Sequence, residues 1–171
     1  MSSIESSLAA VVEPGMLVAL ADGPGAPNLA LGPLSRVARY RSGIGLLLGW
    51  CLALPDDFEL DAFEQRRSVM GGFALRELIA AGSIEYLPVR LGAVPGLVAG
   101  HMRPDVLIVA VRPGARGWEL CSDVGWTIAA ARAGARLVGI VNHGLPVCSR
   151  EEPFEWESVT VLGRSTSRPS R

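Results

Sequence analysis

The chain contains no lysine; all sixteen of its basic residues are arginine. Without a side-chain amine, a Schiff-base mechanism and a Walker-type phosphate loop are both excluded. Cysteine is scarce, with only Cys51, Cys121 and Cys148 present. Their odd number and their spacing match no zinc or thioredoxin motif, so no metal site is expected. Free thiols of this kind suit a reducing compartment, and a cytoplasmic location is the expectation. No G-x-S-x-G elbow is present to carry a nucleophilic serine. Long apolar runs are missing as well. The longest, Ile44 to Leu54, has eleven residues, against about 20 for a membrane helix. Met1 to Glu13 holds two acids and no base, which is not the pattern of a secretory signal. The formal net charge is −1, so neither nucleic acid nor an anionic membrane surface is an expected partner.

What is present is apolar and punctuated by glycine and proline. Hydrophobic residues make up 49% of 171, enough for one domain to bury its own core. Met16 to Leu20 is a short apolar run between Pro14-Gly15 and the loop Gly23-Pro24-Gly25-Ala26-Pro27, and reads as a buried strand. Asn28 to Tyr40 reads as a late-starting helix, because Gly32-Pro33 interrupts its early part. Gly45 to Leu54 reads as a second strand, Glu59 to Gly71 as polar and partly helical, and Gly72 to Ala81 as a helix capped by Gly82. Glu85 to Val89 reads as a strand, and Leu91 to Ala99 as a short helix broken at Pro95-Gly96. Val106 to Val111 is apolar on both faces, the mark of a central parallel strand. An alanine-rich helix over Thr127 to Gly134 and a strand over Leu137 to Val141 follow. The alternation predicts an α/β fold, a mainly parallel sheet with helices on both faces. The domain is expected over 15–163, after an N-terminal segment 1–14 and before a disordered Ser/Arg/Pro-rich tail 164–171.

In such sheets ligands sit beyond the carboxyl ends of the strands. The loop Gly23-x-Gly25-x-Pro27 follows a strand, and its glycines permit close backbone approach to a ligand. It lacks the third glycine of a dinucleotide fingerprint, and its spacing alone reads as a structural turn. Ser68, Gly71, Gly72 and Arg76 form a second cluster. Glycines before a helix expose N–H groups suited to an oxyanion, and Arg76 one turn on could hold a carboxylate; a loop glycine pair beside a solvated arginine is the competing reading. His101 and His143 have no metal partner at ligand spacing. Trp50, Trp118, Trp126 and Trp156 are too scattered for a base-stacking platform.

Longer segments carry a resemblance. Gly82 to Leu97 (GSIEYLPVRLGAVPGL), Arg103 to Pro113 (RPDVLIVAVRP), Cys121 to Gly125 with the alanine-rich helix, and Val138 to Pro146 (VGIVNHGLP) resemble collinear stretches of the acetyl-CoA hydrolase/transferase family. Asp22 to Pro27 and Arg67 to Arg76 resemble that family's first glycine loop and its glycine-and-arginine helix start. The resemblance implies the CoA-transferase family I fold, over the N-terminal domain only. It implies coenzyme A as a substrate, and acyl transfer or hydrolysis through a glutamyl-CoA thioester. The family's catalytic glutamate belongs to the C-terminal domain, so no catalytic residue is expected in this chain. A C-terminal-half subunit, or a homo-oligomer, is the expected partner. Gly23, Gly25, Pro27, Ser68, Gly71, Gly72, Arg76 and Asn142 are the expected substrate- or CoA-binding positions. The family's Leu-Ser-Glu becomes Leu91-Gly92-Ala93 here, removing a hydroxyl and a carboxylate. The alternative expectation is a non-catalytic remnant that binds a small acyl-CoA, an organic anion or a protein partner.

Overall fold

A computed structural model describes residues 3–114, 117–121, 125–148 and 159–166. Its elements run α1 (Ile4–Ala9), β1 (Leu17–Leu20), α2 (Leu31–Tyr40), β2 (Gly45–Leu48), β3 (Gln65–Ser68), α3 (Arg76–Ala80) and β4 (Glu85–Tyr86). They continue through α4 (Val94–Ala99), β5 (Val106–Gly114), β6 (Gly117–Leu120), α5 (Thr127–Arg132), β7 (Arg136–Asn142) and β8 (Thr160–Ser165). Single 3₁₀ turns lead into α2, α3 and α4.

The strands form one sheet in the order β4-β3-β2-β1-β5-β7-β8. Every pairing along that path is parallel; β6 folds back antiparallel on the end of β5. The period-two alternation of each strand splits the core into two layers. Val18, Leu20, Leu46, Leu48, Val106 and Ile108 point to the face covered by α1, α2 and α3. Ala19, Leu47, Leu107, Val109 and Val111 point to the face covered by α4 and α5. The expected α/β architecture with helices on both faces is therefore the observed one. Burying each large aliphatic side chain contributes about 1.5–3 kcal/mol.

The N-terminal segment holds a helix with a core role. Ser3 caps α1 by accepting from the Ser6 N–H at 3.2 Å, and Leu8 is wholly buried. Arg41 donates to the carbonyls of Ala9 and Val12 at 2.7 and 2.6 Å, tying the end of α1 to the end of α2. Arg36 on α2 bridges Glu5 at 2.9 Å and Asp57 at 3.1 Å.

Several local expectations are corrected. Residues 65–68 form strand β3, where helical character was expected. Their charged side chains are held at the surface by ion pairs, Arg66 to Asp61 at 2.8 Å and Arg67 to Glu85 at 2.7 Å, so no apolar period announces the strand. The second strand stops at Leu48, short of Leu54, and β4 keeps only Glu85–Tyr86 of the expected five residues. Pro95 sits in the first turn of α4, which it starts rather than breaks. Gly82 ends α3 at a φ of +71°, as its place after the helical run predicts. Strand β8 extends to Ser165; the expected tail beyond residue 166 lies outside the described residues.

Candidate functional site

The chain order reverses at β1. From it the sheet grows one way through β2, β3 and β4, and the other way through β5, β7 and β8. At such a switch point the loops beyond neighbouring carboxyl ends diverge and leave a crevice. Two cavities open there, one on each side of the loop that follows β1.

The smaller cavity, about 170 Å³, is lined by Gly25, Pro27 and Asn28 of that loop, by Ala110 and Ile140 of the sheet, and by Asn142, Leu145 and Ser165. Three of the expected positions, Gly25, Pro27 and Asn142, thus come together. Asn142 closes β7, and its Oδ1 accepts from the Gly144 N–H at 2.9 Å, an Asx turn that shapes the post-strand loop. Asn28 was not singled out by spacing, yet it fastens two loops. Its Nδ2 donates to the Ala53 carbonyl at 2.8 Å, and its Oδ1 accepts from the Cys51 thiol at 3.5 Å. Gly23 lies behind this cavity rather than in its lining. It takes a φ of +91°, open to glycine and strained for other residues, and its N–H donates to the Trp50 carbonyl at 3.0 Å.

The larger cavity, about 470 Å³, is lined by Asp22, Trp50, Met70, Leu91, Gly92, Val94, Pro95, Gly125 and Trp126. Its walls are mostly apolar. Asp22 contributes the charge, and the Trp126 Nε1–H donates to its Oδ2 at 3.1 Å. That bond joins residues 104 positions apart, tying the β1 loop to the start of α5. The Asp22 side chain occupies the space a Cβ at Gly49 would need, so glycine at the end of β2 is what lets the carboxylate settle there. The Nε1 of Trp50 is buried and has no hydrogen-bond partner among the described residues; its ring is held by an edge-on contact with Phe73 at 5.2 Å between centroids.

The second expected cluster is dispersed along the loop after β3. Ser68 is fully buried, and its Oγ donates to the Met70 carbonyl at 2.8 Å, closing the strand end on itself. Gly71 packs against Tyr86. Gly72 precedes a 3₁₀ turn whose Ala74 and Leu75 N–H groups donate to Cys51 O and Gly72 O. Arg76 is exposed at the start of α3. None of these four lines either cavity; Met70, between them, does.

Burial pushes the Cys51 thiol up to about 11, with the nearby charge of Asp22 adding to the effect and the Asn28 hydrogen bond opposing it. Burial pushes Cys121 up to about 11 as well, partly offset by Arg112. Both thiols are neutral at physiological pH and unsuited to nucleophilic attack. Among the described residues, no group of three or more His, Cys, Asp or Glu side chains could hold a metal ion. No helix among them is long and apolar enough to cross a membrane.

Asp22, Trp50 and Trp126 were not among the sequence-selected positions. Asp22 and Trp50 each follow an apolar strand run almost directly, and a polar or aromatic residue at that point was the available signal. Trp126 is 76 residues beyond Trp50, and only the fold brings the two indoles to one cavity. Trp156 lies outside the described residues.

No protein-family model matches the sequence, and no curated protein matches it. Solved structures do. RipA from Yersinia pestis is similar with a TM-score of 0.79 at 15% identity, over 99% of this chain and 43% of that one. A 4-hydroxybutyrate CoA-transferase from Porphyromonas gingivalis is similar with a TM-score of 0.63 at 16% identity, over 99% and 40%. A variant of the decarboxylase AibA/AibB is similar with a TM-score of 0.54 at 17% identity, over 94% and 81%. The chain therefore spans less than half the length of RipA and of the CoA-transferase. At these identities the likeness speaks for the architecture, and the chain has a CoA-transferase-like α/β fold.

Proposed function

We propose that this chain is the N-terminal-type half of an acyl-CoA:carboxylate CoA-transferase or acyl-CoA hydrolase. It shapes the acyl or carboxylate pocket, while a second polypeptide supplies the glutamate that attacks the thioester. The observation that carries this reading is the fit of nearly the whole chain onto 43% of RipA. The switch-point crevice supports it, because both cavities open where ligands of such sheets bind. The two buried thiols are protonated and offer no competing nucleophile.

In this reading the chain orients and excludes. The loop at Gly25 and Pro27 and the Asx turn at Asn142 line the smaller cavity. The indoles of Trp50 and Trp126 give the larger one, across the β1 loop, its apolar walls. The attacking carboxylate comes from the partner, forming an acyl anhydride and releasing the CoA thiolate; the thiolate then attacks the glutamyl carbonyl of the anhydride, giving a glutamyl-CoA thioester and expelling the original acyl group as its carboxylate. Carboxylate acceptors then yield a new acyl-CoA, and water yields hydrolysis.

The test is reconstitution. A panel of acyl-CoA thioesters, acetyl-CoA and phenylacetyl-CoA among them, is incubated with a carboxylate acceptor and this chain alone, and with this chain plus a co-expressed chain carrying the rest of the CoA-transferase fold. Turnover confined to the mixture is expected. Turnover by the lone chain, or none in any such mixture, overturns the reading.

A further inference from the structure

We infer that the 470 Å³ cavity beside Asp22 takes a ring-bearing acyl group with a single carboxyl function, and turns away acyl groups that end in a second carboxylate. The inference rests on the acyl-site reading above only for the choice of an acyl ligand. The selectivity itself comes from the cavity walls.

Three observations carry it. The first is size. A cavity of 470 Å³ falls within the range that holds small organic ligands, and at roughly 30 Å³ per water-sized group it has room for about fifteen of them. An acetyl group would leave most of that space empty. The second is surface. Trp50, Met70, Leu91, Val94, Pro95 and the edge of the buried Trp126 line it, and apolar walls with an aromatic ring favour flat apolar partners in stacked or edge-on arrangements. The third is charge. Among the described lining residues Asp22 is the one ionisable side chain, and none of them is basic. A carboxylate at the far end of an acyl group would meet that charge in a partly apolar site, where like charges repel strongly.

Gly92 stands in the cavity lining. A Cβ added to Gly92 would meet nothing within 4 Å, so a larger side chain can stand there without disturbing its neighbours and would project into free space.

The test uses the whole chain by itself and short thioesters of N-acetylcysteamine, so that it needs neither coenzyme A nor a partner. Binding of the phenylacetyl, acetyl and succinyl thioesters is measured by calorimetry and by tryptophan fluorescence. The phenylacetyl thioester is expected to bind at least tenfold more tightly than the acetyl thioester, and the succinyl thioester more weakly than the phenylacetyl one by a similar factor. Gly92→Leu is expected to abolish phenylacetyl binding while leaving the circular dichroism spectrum and thermal transition unchanged. Asp22→Asn is expected to narrow the gap between succinyl and phenylacetyl. Equal or preferred binding of the succinyl thioester, unaltered phenylacetyl binding in Gly92→Leu, or no phenylacetyl binding at all would each overturn the inference. Failure of the reconstituted transfer with every acyl-CoA would instead count against the CoA-transferase reading, and leaves these binding results to stand by themselves.

Discussion

The bond between Trp126 and Asp22 is the most consequential single contact at the site, and its strength can be isolated. Trp126 is 2% exposed, and its indole N–H reaches the half-buried Asp22 carboxylate at 3.1 Å. A hydrogen bond to a charged group contributes about 1.5–3 kcal/mol, a neutral one about 0.5–1.5. Trp126→Phe deletes the donor and part of a buried ring. The expected destabilisation is about 2–4 kcal/mol, the larger part from lost packing. Asp22→Asn keeps an acceptor oxygen and removes only the charge. In the double-mutant cycle the packing loss cancels, leaving the difference between a charged and a neutral acceptor, a coupling of about 1 kcal/mol. Urea denaturation of the four proteins at pH 7 measures it. A coupling indistinguishable from zero would refute the claim that this bond closes the β1 loop onto α5, and the cavity would then lack the fixed wall assigned to it.

Two further outcomes follow from buried positions. Between pH 9.0 and about 11 the folded state keeps the Cys51 proton that the unfolded chain releases. Its stabilising contribution is therefore complete below pH 9 and declines as pH rises through that window, by about 1.4 kcal/mol at pH 10. Cys51→Ala should show a loss of stability between pH 8 and pH 10 that is smaller by about that amount; identical pH slopes would contradict it. On β7, a Cβ at Gly139 would lie 2.7 Å from Val111 Cγ2 and 2.7 Å from Val159 Cγ1. Gly139→Ala should cost about 1–3 kcal/mol by overpacking, and Val111→Ala in the same chain should recover part of that in thermal melts.

The fold was legible where burial writes a period into the sequence. Val106 to Val111 announced a central strand because both its faces are covered, and the alanine-rich segment at 127 announced a helix that lies close to the sheet. Strand β3 was hidden because Arg66 and Arg67 meet surface carboxylates, which leaves no apolar alternation to read. Helix α1 was hidden by brevity, its six residues showing little more than Leu8 as an apolar anchor. The site was half legible. Glycine and proline after β1 and the asparagine that ends β7 were picked out from the sequence, and they line the smaller cavity together. The tryptophans were not legible, because nothing local distinguishes an indole that fills a core from one that lines a cavity. Ser68 was grouped with Gly71, Gly72 and Arg76 as a candidate, and its hydroxyl donates to the Met70 carbonyl two residues on.

The division of labour between two chains is the central claim, and intact-mass analysis after incubation with acetyl-CoA tests it most directly. Trapped during turnover of the reconstituted pair, a CoA adduct is expected on a glutamate of the partner chain, with this chain at its unmodified mass. A CoA thioester on an acidic side chain of this protein, formed without the partner, would contradict the account.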